Sequence, residues 1–120
     1  MKILFGFSLT LLIVLNATAE DIGPVAGGLS EEQPITDNVA RLTEALKDEV
    51  LSRIETNDVE TFEPVSFSEQ VVAGMVYYVK VKLGAKDWIH VKFYKPLFND
   101  QPELMGVNED VSEESPIEYF

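Results

Sequence analysis

The sequence VSFSEQVVAGMVYYVKVKLGAKDWIHVKFY, at residues 65–94, carries the strongest secondary-structure signal in the chain. Apolar and polar residues alternate along three runs of it, as they do in β-strands that bury one face. The inward positions predicted by this alternation are Val65, Phe67, Tyr77, Val79, Val81, Leu83, Ile89, Val91 and Phe93. A short loop at 84–87 joins the second run to the third and predicts a hairpin. We therefore expect an antiparallel sheet, with a shorter fourth strand at 104–107.

The segment that precedes these strands has the period of a helix. Its apolar residues recur at steps of three and four, at Val39, Leu42, Leu46, Val50 and Ile54. Thr36 or Asp37 can cap the first turn, and the turn-forming residues 56–58 end the helix. One long helix packed across an antiparallel β-sheet is an α+β fold, and we predict this architecture as a single domain.

The first 19 residues have the features of a secretory signal peptide. Lys2 precedes an apolar run from Ile3 to Leu15, and Ala17-Thr18-Ala19 fits the small-x-small cleavage pattern. Because the run is too short to span a bilayer, we expect no membrane association after cleavage. These features predict a mature domain at 20–120 that is secreted, or delivered to an endolysosomal compartment through the secretory pathway.

The composition narrows the classes of function. Of the 120 residues, 21 are acidic and 9 are basic, and the formal net charge of −12 argues against nucleic-acid binding. The chain has no Cys and one His, so it lacks thiol nucleophiles, disulfides and the ligands of a thiolate zinc site. No paired acid–base constellation stands out in the sequence. We expect neither an enzyme nor a cofactor or metal site.

Two segments depart from the regular pattern. Residues 20–34 contain several Gly and Pro and little apolar periodicity, which predicts a flexible N-terminal arm outside the core. Residues 70–74, QVVAG, interrupt the strand alternation and predict a tight apolar hairpin tip in which Gly74 takes a positive φ. Loop tips are normally polar, so the two valines and Ala73 either fold back into the core or are presented to a partner.

Several motifs along the chain form a set in a fixed order. Besides Gln70–Gly74, the set comprises Gly27–Glu31, Val65–Phe67, Tyr77–Val81, His90–Lys92 and the terminal Tyr119–Phe120. With these residues the chain resembles the cystatin superfamily, and within it the stefin branch. The resemblance implies a cystatin-like fold and a reversible, tight-binding inhibitor of papain-like cysteine peptidases of the cathepsin L, B or S type. Inhibition would be steric, because a wedge blocks the active-site cleft and no bond is broken.

The resemblance assigns the peptidase contacts to three segments. The implied contact residues are Val25, Ala26, Gly27 and Gly28 in the arm, Gln70, Val71, Val72, Ala73 and Gly74 in the first hairpin, and Leu97 and Phe98 in the second hairpin. The arm would lie along the non-primed subsites, the first hairpin over the catalytic Cys–His pair and the second hairpin on the primed side.

The sequence departs from the stefin pattern at two places. Pro96-Leu97-Phe98 stands where stefins typically have Leu-Pro, and Phe98 either supplies an apolar contact, as we expect, or closes the loop onto the sheet. The signal peptide is the second departure, because stefins are usually cytosolic. A cystatin-fold binding module that has lost inhibition is therefore the alternative interpretation.

Three further features have a structural and a functional interpretation. Asn57-Asp58 is similar to a segment through which some secreted cystatins inhibit asparaginyl endopeptidases, but a turn that ends the helix also explains it. The hairpin from Val71 to Leu83 could exchange between two chains and form a domain-swapped dimer, although we expect a monomer. We predict a structural role for His90, on the face that it shares with Lys92.

A group of lysines falls on the outward positions of the predicted strands, at Lys80, Lys82 and Lys92. We expect these side chains to face solvent, where lysines discourage edge-to-edge pairing of strands.

Overall fold

The computed structural model describes residues 28–56 and 59–120, so the predicted signal peptide and most of the predicted arm lie outside the described part. Its elements, numbered in chain order, are strand β1 (Gln33–Pro34), helix α1 (Asp37–Ala45), helix α2 (Lys47–Arg53), and strands β2 (Glu63–Val72), β3 (Gly74–Lys82), β4 (Trp88–Lys95) and β5 (Glu103–Val111). The predicted α+β class is confirmed. Neither helix of the described residues is long and apolar enough to cross a membrane.

The described strands form one antiparallel sheet in the order β1-β2-β3-β4-β5. Strands β2 to β5 follow one another as the alternating runs predicted, and β5 extends beyond the expected 104–107. Gln33 pairs with Phe67 at the outer edge, so the end of the predicted arm is part of the sheet. Pro34 is tolerated there, because an edge strand can do without the N–H that proline lacks.

The predicted single helix is divided at Leu46, where φ is −99° and ψ is 4°. Thr36 caps its start, since the Val39 amide donates to the Thr36 hydroxyl at 3.4 Å. The division follows from the buried Thr43, whose hydroxyl donates to the Val39 carbonyl at 2.7 Å. This bond competes for a carbonyl of the helical ladder, and such bonds bend helices. The Leu46 amide then bonds to the Thr43 carbonyl at 3.0 Å and closes a tighter turn.

Both helices pack on one face of the sheet, which we call the core face. The buried residues between them are Val39, Leu42, Leu46 and Val50 from the helices, and Phe67, Tyr77, Val79, Val81, Ile89, Val91 and Phe93 from the strands. The Tyr77 ring lies 5.9 Å from that of Phe67 and 5.3 Å from that of Phe93, centroid to centroid. Burying each large apolar side chain stabilises the fold by about 1.5–3 kcal/mol. The helical stripe and the strand alternation are confirmed at these positions.

The alternation fails at one predicted inward position, Val65, whose side chain is 36% exposed. The register between β2 and β3 shifts between Pro64 and Ser66. A bulge of this kind adds a residue to one strand. The alternation counted back from Phe67 therefore no longer predicts which face of the sheet the side chains before the bulge occupy.

The opposite face of the sheet, which we call the second face, is also covered. Its buried side chains include Ser66, Ser68, Val76, Tyr78, Lys80, Trp88 and His90. Residues 112–120, the C-terminal tail, fold back over it and bring the rings of Tyr119 and Phe120 edge-on to Tyr78, with centroids 5.9 and 5.7 Å away. The Lys92 ammonium donates to the Phe120 carbonyl at 2.9 Å. The prediction that this face meets solvent is therefore wrong, because it considered the strands without the tail.

An ion pair between the buried Lys80 and the partly exposed Glu32 lies on the second face. The Lys80 ammonium lies 3.3 Å from the Glu32 carboxylate and donates to the Glu113 carbonyl at 2.9 Å. The Ser66 hydroxyl also donates to the Glu32 carboxylate. Lys80 is thus a structural residue and does not guard an exposed edge. Together with His90, these residues form what we call the polar cluster: Glu32, Ser66, Lys80 and His90.

The polar cluster lowers the pKa values of two of its members, His90 and Glu32. Burial lowers the pKa of His90, and the charge of Lys80 lowers it further, while Glu32 acts in the opposite direction. Burial alone would raise the pKa of Glu32, but hydrogen bonds from Ser66 and Lys80 outweigh it, and the net shift is downward. Within the described residues, Nε2 of His90 has no hydrogen-bond partner. The predicted structural placement of His90 on a strand therefore coincides with a buried imidazole whose pKa lies below its ordinary value.

Candidate functional site

The topology of the sheet brings three segments to one end of the molecule. In an antiparallel meander the β2–β3 turn and the β4–β5 connection lie at the same end. The residues before β1 run to that end as well, because Leu29 bridges Gln70 and the Ser30 amide donates to the Glu69 carbonyl at 2.9 Å. We call the surface formed by Gly28, residues 70–74 and Leu97-Phe98 the apolar edge.

The first hairpin forms the centre of the apolar edge. Val72 pairs with Gly74, so Ala73 alone makes the turn, and Gly74 has a φ of 120° as the sequence predicted. The side chains of Val71 and Val72 are 53% and 41% exposed. Of the two alternatives for this tip, the structure shows the one in which it is presented outward.

The second loop places two more apolar side chains at the same end. Leu97 is 62% exposed and Phe98 is 97% exposed, so Phe98 does not close the loop onto the sheet. Polar contacts order the loop instead: the Lys95 ammonium donates to the Pro96 carbonyl at 3.1 Å and lies 3.7 Å from the Asp100 carboxylate. The loop backbone is held while its apolar side chains point outward.

The arm reaches the apolar edge at its last described residue. Gly28 is exposed, and the next residue, Leu29, is half-buried beside Gln70. The Glu69 amide donates to the Ser30 hydroxyl at 2.9 Å, which fixes the point where the arm leaves the sheet. The predicted contacts Val25, Ala26 and Gly27 lie outside the described residues, as does Asn57, for which a helix-ending turn and a second inhibitory site were the two interpretations.

The chemistry of the apolar edge is that of a binding surface. Its residues are Gly28, Gln70, Val71, Val72, Ala73, Gly74, Leu97 and Phe98, none of which is ionisable. Exposed apolar side chains gathered at one place are typical of a site that another macromolecule covers. Within residues 28–56 and 59–120, no three His, Asp or Glu side chains are placed to hold a metal ion.

The shape of the apolar edge points to the same kind of partner. One cavity of about 180 Å³ lies under the C-terminal tail, beside His90 and Tyr119, and another of about 240 Å³ lies near Trp88. Neither is lined by a residue of the apolar edge. Small-molecule sites are concave. The edge protrudes on two loop tips, and a protruding apolar surface fits into the cleft of a partner.

The sequence analysis did not identify one residue that contacts the first hairpin. The Tyr94 hydroxyl, near the end of β4, donates to the Ala73 carbonyl at 2.5 Å. A Cβ added at Gly74 would lie 2.6 Å from the Lys95 carbonyl oxygen. Tyr94 follows the alternation as an outward residue, and only the position of β4 next to the hairpin could have indicated this contact.

Similarity to known proteins extends over most of the chain. No family model matches the sequence. Cystatin-A1 of Sus scrofa is 34% identical over 97 residues, which are 78% of this chain and 92% of that protein. Cystatin-A of Homo sapiens is 36% identical over 90 residues, 72% of this chain and 81% of that protein. Leukocyte cysteine proteinase inhibitor 1 of Sus scrofa is 30% identical over 99 residues, 80% of this chain and 94% of that protein.

Proposed function

The chain belongs to the cystatin family, and from this premise we propose that it is a reversible, tight-binding inhibitor of papain-like cysteine peptidases of the cathepsin L, B or S type. One observation carries the proposal: uncharged, exposed apolar side chains from two loops lie at one end of the sheet. The name of the pig leukocyte relative describes a cysteine proteinase inhibitor.

The proposed mechanism is the insertion of a wedge. Val71, Val72 and Phe98 would leave water and pack against the walls of the peptidase cleft. Each such side chain contributes on the order of 1.5–3 kcal/mol when it is fully buried. A tight hairpin loses little conformational entropy when it docks, so this burial appears as affinity. The wedge presents no peptide bond to the catalytic thiolate in a geometry that can be cleaved, and inhibition is therefore reversible.

The arm has a smaller role in the proposal. Val25, Ala26, Gly27 and Gly28 would extend along the non-primed subsites, where the two glycines let the backbone pass close to the cleft wall. The small side chains of Val25 and Ala26 bury less area than a bulky pair would, so the arm contributes less than an arm with bulky residues at these positions. Deleting residues 20–28 should weaken inhibition, most for peptidases with open clefts.

We also propose that residues 1–19 are a signal peptide and that the inhibitor enters the secretory pathway. Expression of the full chain in cultured eukaryotic cells, followed by N-terminal sequencing of the secreted protein, tests this. The expected mature N-terminus is Glu20. A chain that stays in the cytosol with its first residues intact would contradict this part of the proposal without affecting the inhibitory surface.

We propose that the active species is a monomer. In a dimer that exchanges the hairpin from Val71 to Leu83, β2 and β3 would open into one extended segment, and the tip of the apolar edge would disappear. Dimers isolated by size-exclusion chromatography should therefore inhibit less than the monomer.

Inhibition assays with matched variants test the function itself. The mature chain should inhibit papain and cathepsin L with a one-to-one end point. Val71→Asp should raise Ki by about a hundredfold, because it removes an apolar contact and places a charge in the cleft. Val65→Asp is the control, since it makes the same change on the same strand at the far end from the apolar edge. No inhibition by micromolar wild-type protein would contradict the proposal and favour a non-inhibitory binding module.

A further inference from the structure

We propose that Tyr94 is a positioning residue that fixes the first hairpin tip relative to the second loop. The inference rests on the proposed function in one respect, namely that the two loops bind the same cleft. It goes beyond that function because Tyr94 is not among the residues that form the apolar edge.

The first part of the geometry is a hydrogen bond between the end of β4 and the turn of the first hairpin. The Tyr94 hydroxyl donates to the carbonyl of Ala73 at 2.5 Å. Ala73 is the residue at the hairpin turn that no ladder pair holds, since Val72 pairs directly with Gly74. Tyr94 itself pairs with Val76 in the register between β3 and β4. Its backbone is therefore fixed by the sheet, and its hydroxyl holds the one free residue of the tip.

The second part of the geometry is the close approach at Gly74. A Cβ at this position would lie 2.6 Å from the Lys95 carbonyl oxygen and 3.0 Å from Cε1 of the Tyr94 ring. Any side chain would therefore push the end of β4 away from the hairpin. Gly74 also has a φ of 120°, which other residues rarely adopt. The glycine thus permits both the turn and the contact with Tyr94.

The third part is the connection from Tyr94 to the second loop. Lys95 follows Tyr94 directly, and its ammonium donates to the Pro96 carbonyl and pairs with Asp100 at 3.7 Å. Two consecutive residues thus contact the tip of the first hairpin and the base of the second loop. The distance between the two tips is set by this short connection.

A fixed distance between the tips affects affinity because both loops must enter one cleft together. If the first tip moves independently, only a fraction of the free inhibitor molecules has the tip-to-tip distance that fits the cleft. The apparent affinity is then the intrinsic affinity multiplied by that fraction. The Tyr94 hydroxyl therefore acts on the free inhibitor and need not touch the peptidase.

Tyr94→Phe tests the inference because it keeps the ring over Gly74 and removes only the hydroxyl. Losing one hydrogen bond of this kind should raise Ki for papain by about three- to tenfold. Because fewer free molecules are ready to bind, the association rate should fall by about the same factor as Ki rises. Tyr119→Phe is the matched control: it removes a hydroxyl on the C-terminal tail and should leave Ki unchanged.

A second measurement separates positioning from general stability. In the free protein, ¹⁵N relaxation should show lower backbone order parameters for Val72, Ala73 and Gly74 in Tyr94→Phe, from about 0.85 towards 0.6. Val79 and Val91, in the centre of the sheet, should keep their order parameters. A merely structural role would lower the thermal midpoint without this local effect at the tip.

The two measurements distinguish the inference from the function on which it rests. If wild-type protein inhibits papain, and Tyr94→Phe has the same Ki and the same order parameters at the tip, the inference is overturned. If wild-type protein does not inhibit, the proposed function fails, and the order parameters alone decide whether Tyr94 holds the tip.

Discussion

The apolar edge and the second face of the sheet both reverse the usual distribution of side chains, but in opposite directions. The apolar edge exposes Val71, Leu97 and Phe98, whereas the second face buries Lys80 and His90. On the second face the buried Lys80 ammonium is paired with the Glu32 carboxylate and donates to the Glu113 carbonyl of the tail, and among the described residues only Nε2 of His90 is left buried without a hydrogen-bond partner. Nothing within the described residues covers the apolar edge. The comparison separates polar groups that the fold satisfies itself from apolar groups that need a partner.

The largest contrast should come from the same substitution made at two phenylalanines. Phe93→Ala removes a fully buried ring from the core face and should lower the free energy of unfolding by about 3–5 kcal/mol. Phe98→Ala removes an exposed ring and should leave stability unchanged while raising Ki for papain by about tenfold or more. Urea unfolding and inhibition assays measure the two effects. A Phe98→Ala variant that unfolds early and inhibits normally would reverse this assignment.

The next effect should come from the ion pair of the second face. Lys80→Met leaves the Glu32 carboxylate without its cation and should lower the free energy of unfolding by about 2–3 kcal/mol. This is less than for a fully buried pair, because the Glu32 side chain keeps 36% of its exposure and water screens it. Lys82→Met, the same change two residues along β3 and outside the polar cluster, should cost much less. Equal loss in the two variants would show that the pair is not the cause.

A smaller effect is expected from the end of the C-terminal tail. Deleting Tyr119 and Phe120 removes two rings from Tyr78 and the carbonyl that accepts from Lys92. The rings are half exposed, so we expect a loss of about 1–2 kcal/mol of unfolding free energy. Hydrogen–deuterium exchange of the Tyr78 backbone amide should become faster than in the full chain. Unchanged stability after the deletion would mean that the tail does not hold the second face closed.

The smallest effect should be the pH dependence of stability. The pKa of His90 is lowered in the fold from its ordinary value of 6.5, so the unfolded chain binds this proton first as the pH falls. Stability is therefore full above pH 6.5 and decreases below it, until folded His90 also becomes protonated. The lowered pKa of Glu32 adds a second decrease below its ordinary value of 4.5.

Among the groups around His90, Lys80 lowers its pKa and strengthens this effect, whereas Glu32 raises its pKa and opposes it. Lys80 and Glu32 lie in the polar cluster, and Asp110, Glu118 and Tyr119 line the cavity beside the imidazole. The urea midpoint of the wild type should still fall between pH 7.5 and 5.5, and that of His90→Gln should fall less. If the urea midpoints of the two proteins fell equally with pH, His90 would be excluded as the source of the pH dependence.

The sequence alone predicts the core face and the first hairpin well, for a common physical reason. The positions of Val39, Phe67 and Val79 follow from local periods of helix and strand, and Gly74 follows from the φ of a tight turn. These features depend on neighbours along the chain. The exposure of Phe98 agrees with the expectation that it supplies an apolar contact, which came from the resemblance to the second hairpin of stefins and not from a local period.

The features that the sequence did not predict depend on distant contacts. Lys80 and His90 occupy outward strand positions, and the tail and Glu32, which lie more than 20 residues away in sequence, contribute to their burial. The helix division depends on a side-chain bond of Thr43 that has no periodic signature. Tyr94 was missed for the same reason, since its partner Ala73 lies on another hairpin.

Hydrogen–deuterium exchange of the mature chain with and without papain tests the central claim most directly. If the apolar edge enters the cleft, peptides that contain residues 70–74 and 96–98 should become protected in the complex. Peptides from the C-terminal tail and from the loop at 84–87 should exchange as they do in the free chain. Protection of the tail with an unchanged apolar edge, or no protection anywhere, would contradict the account.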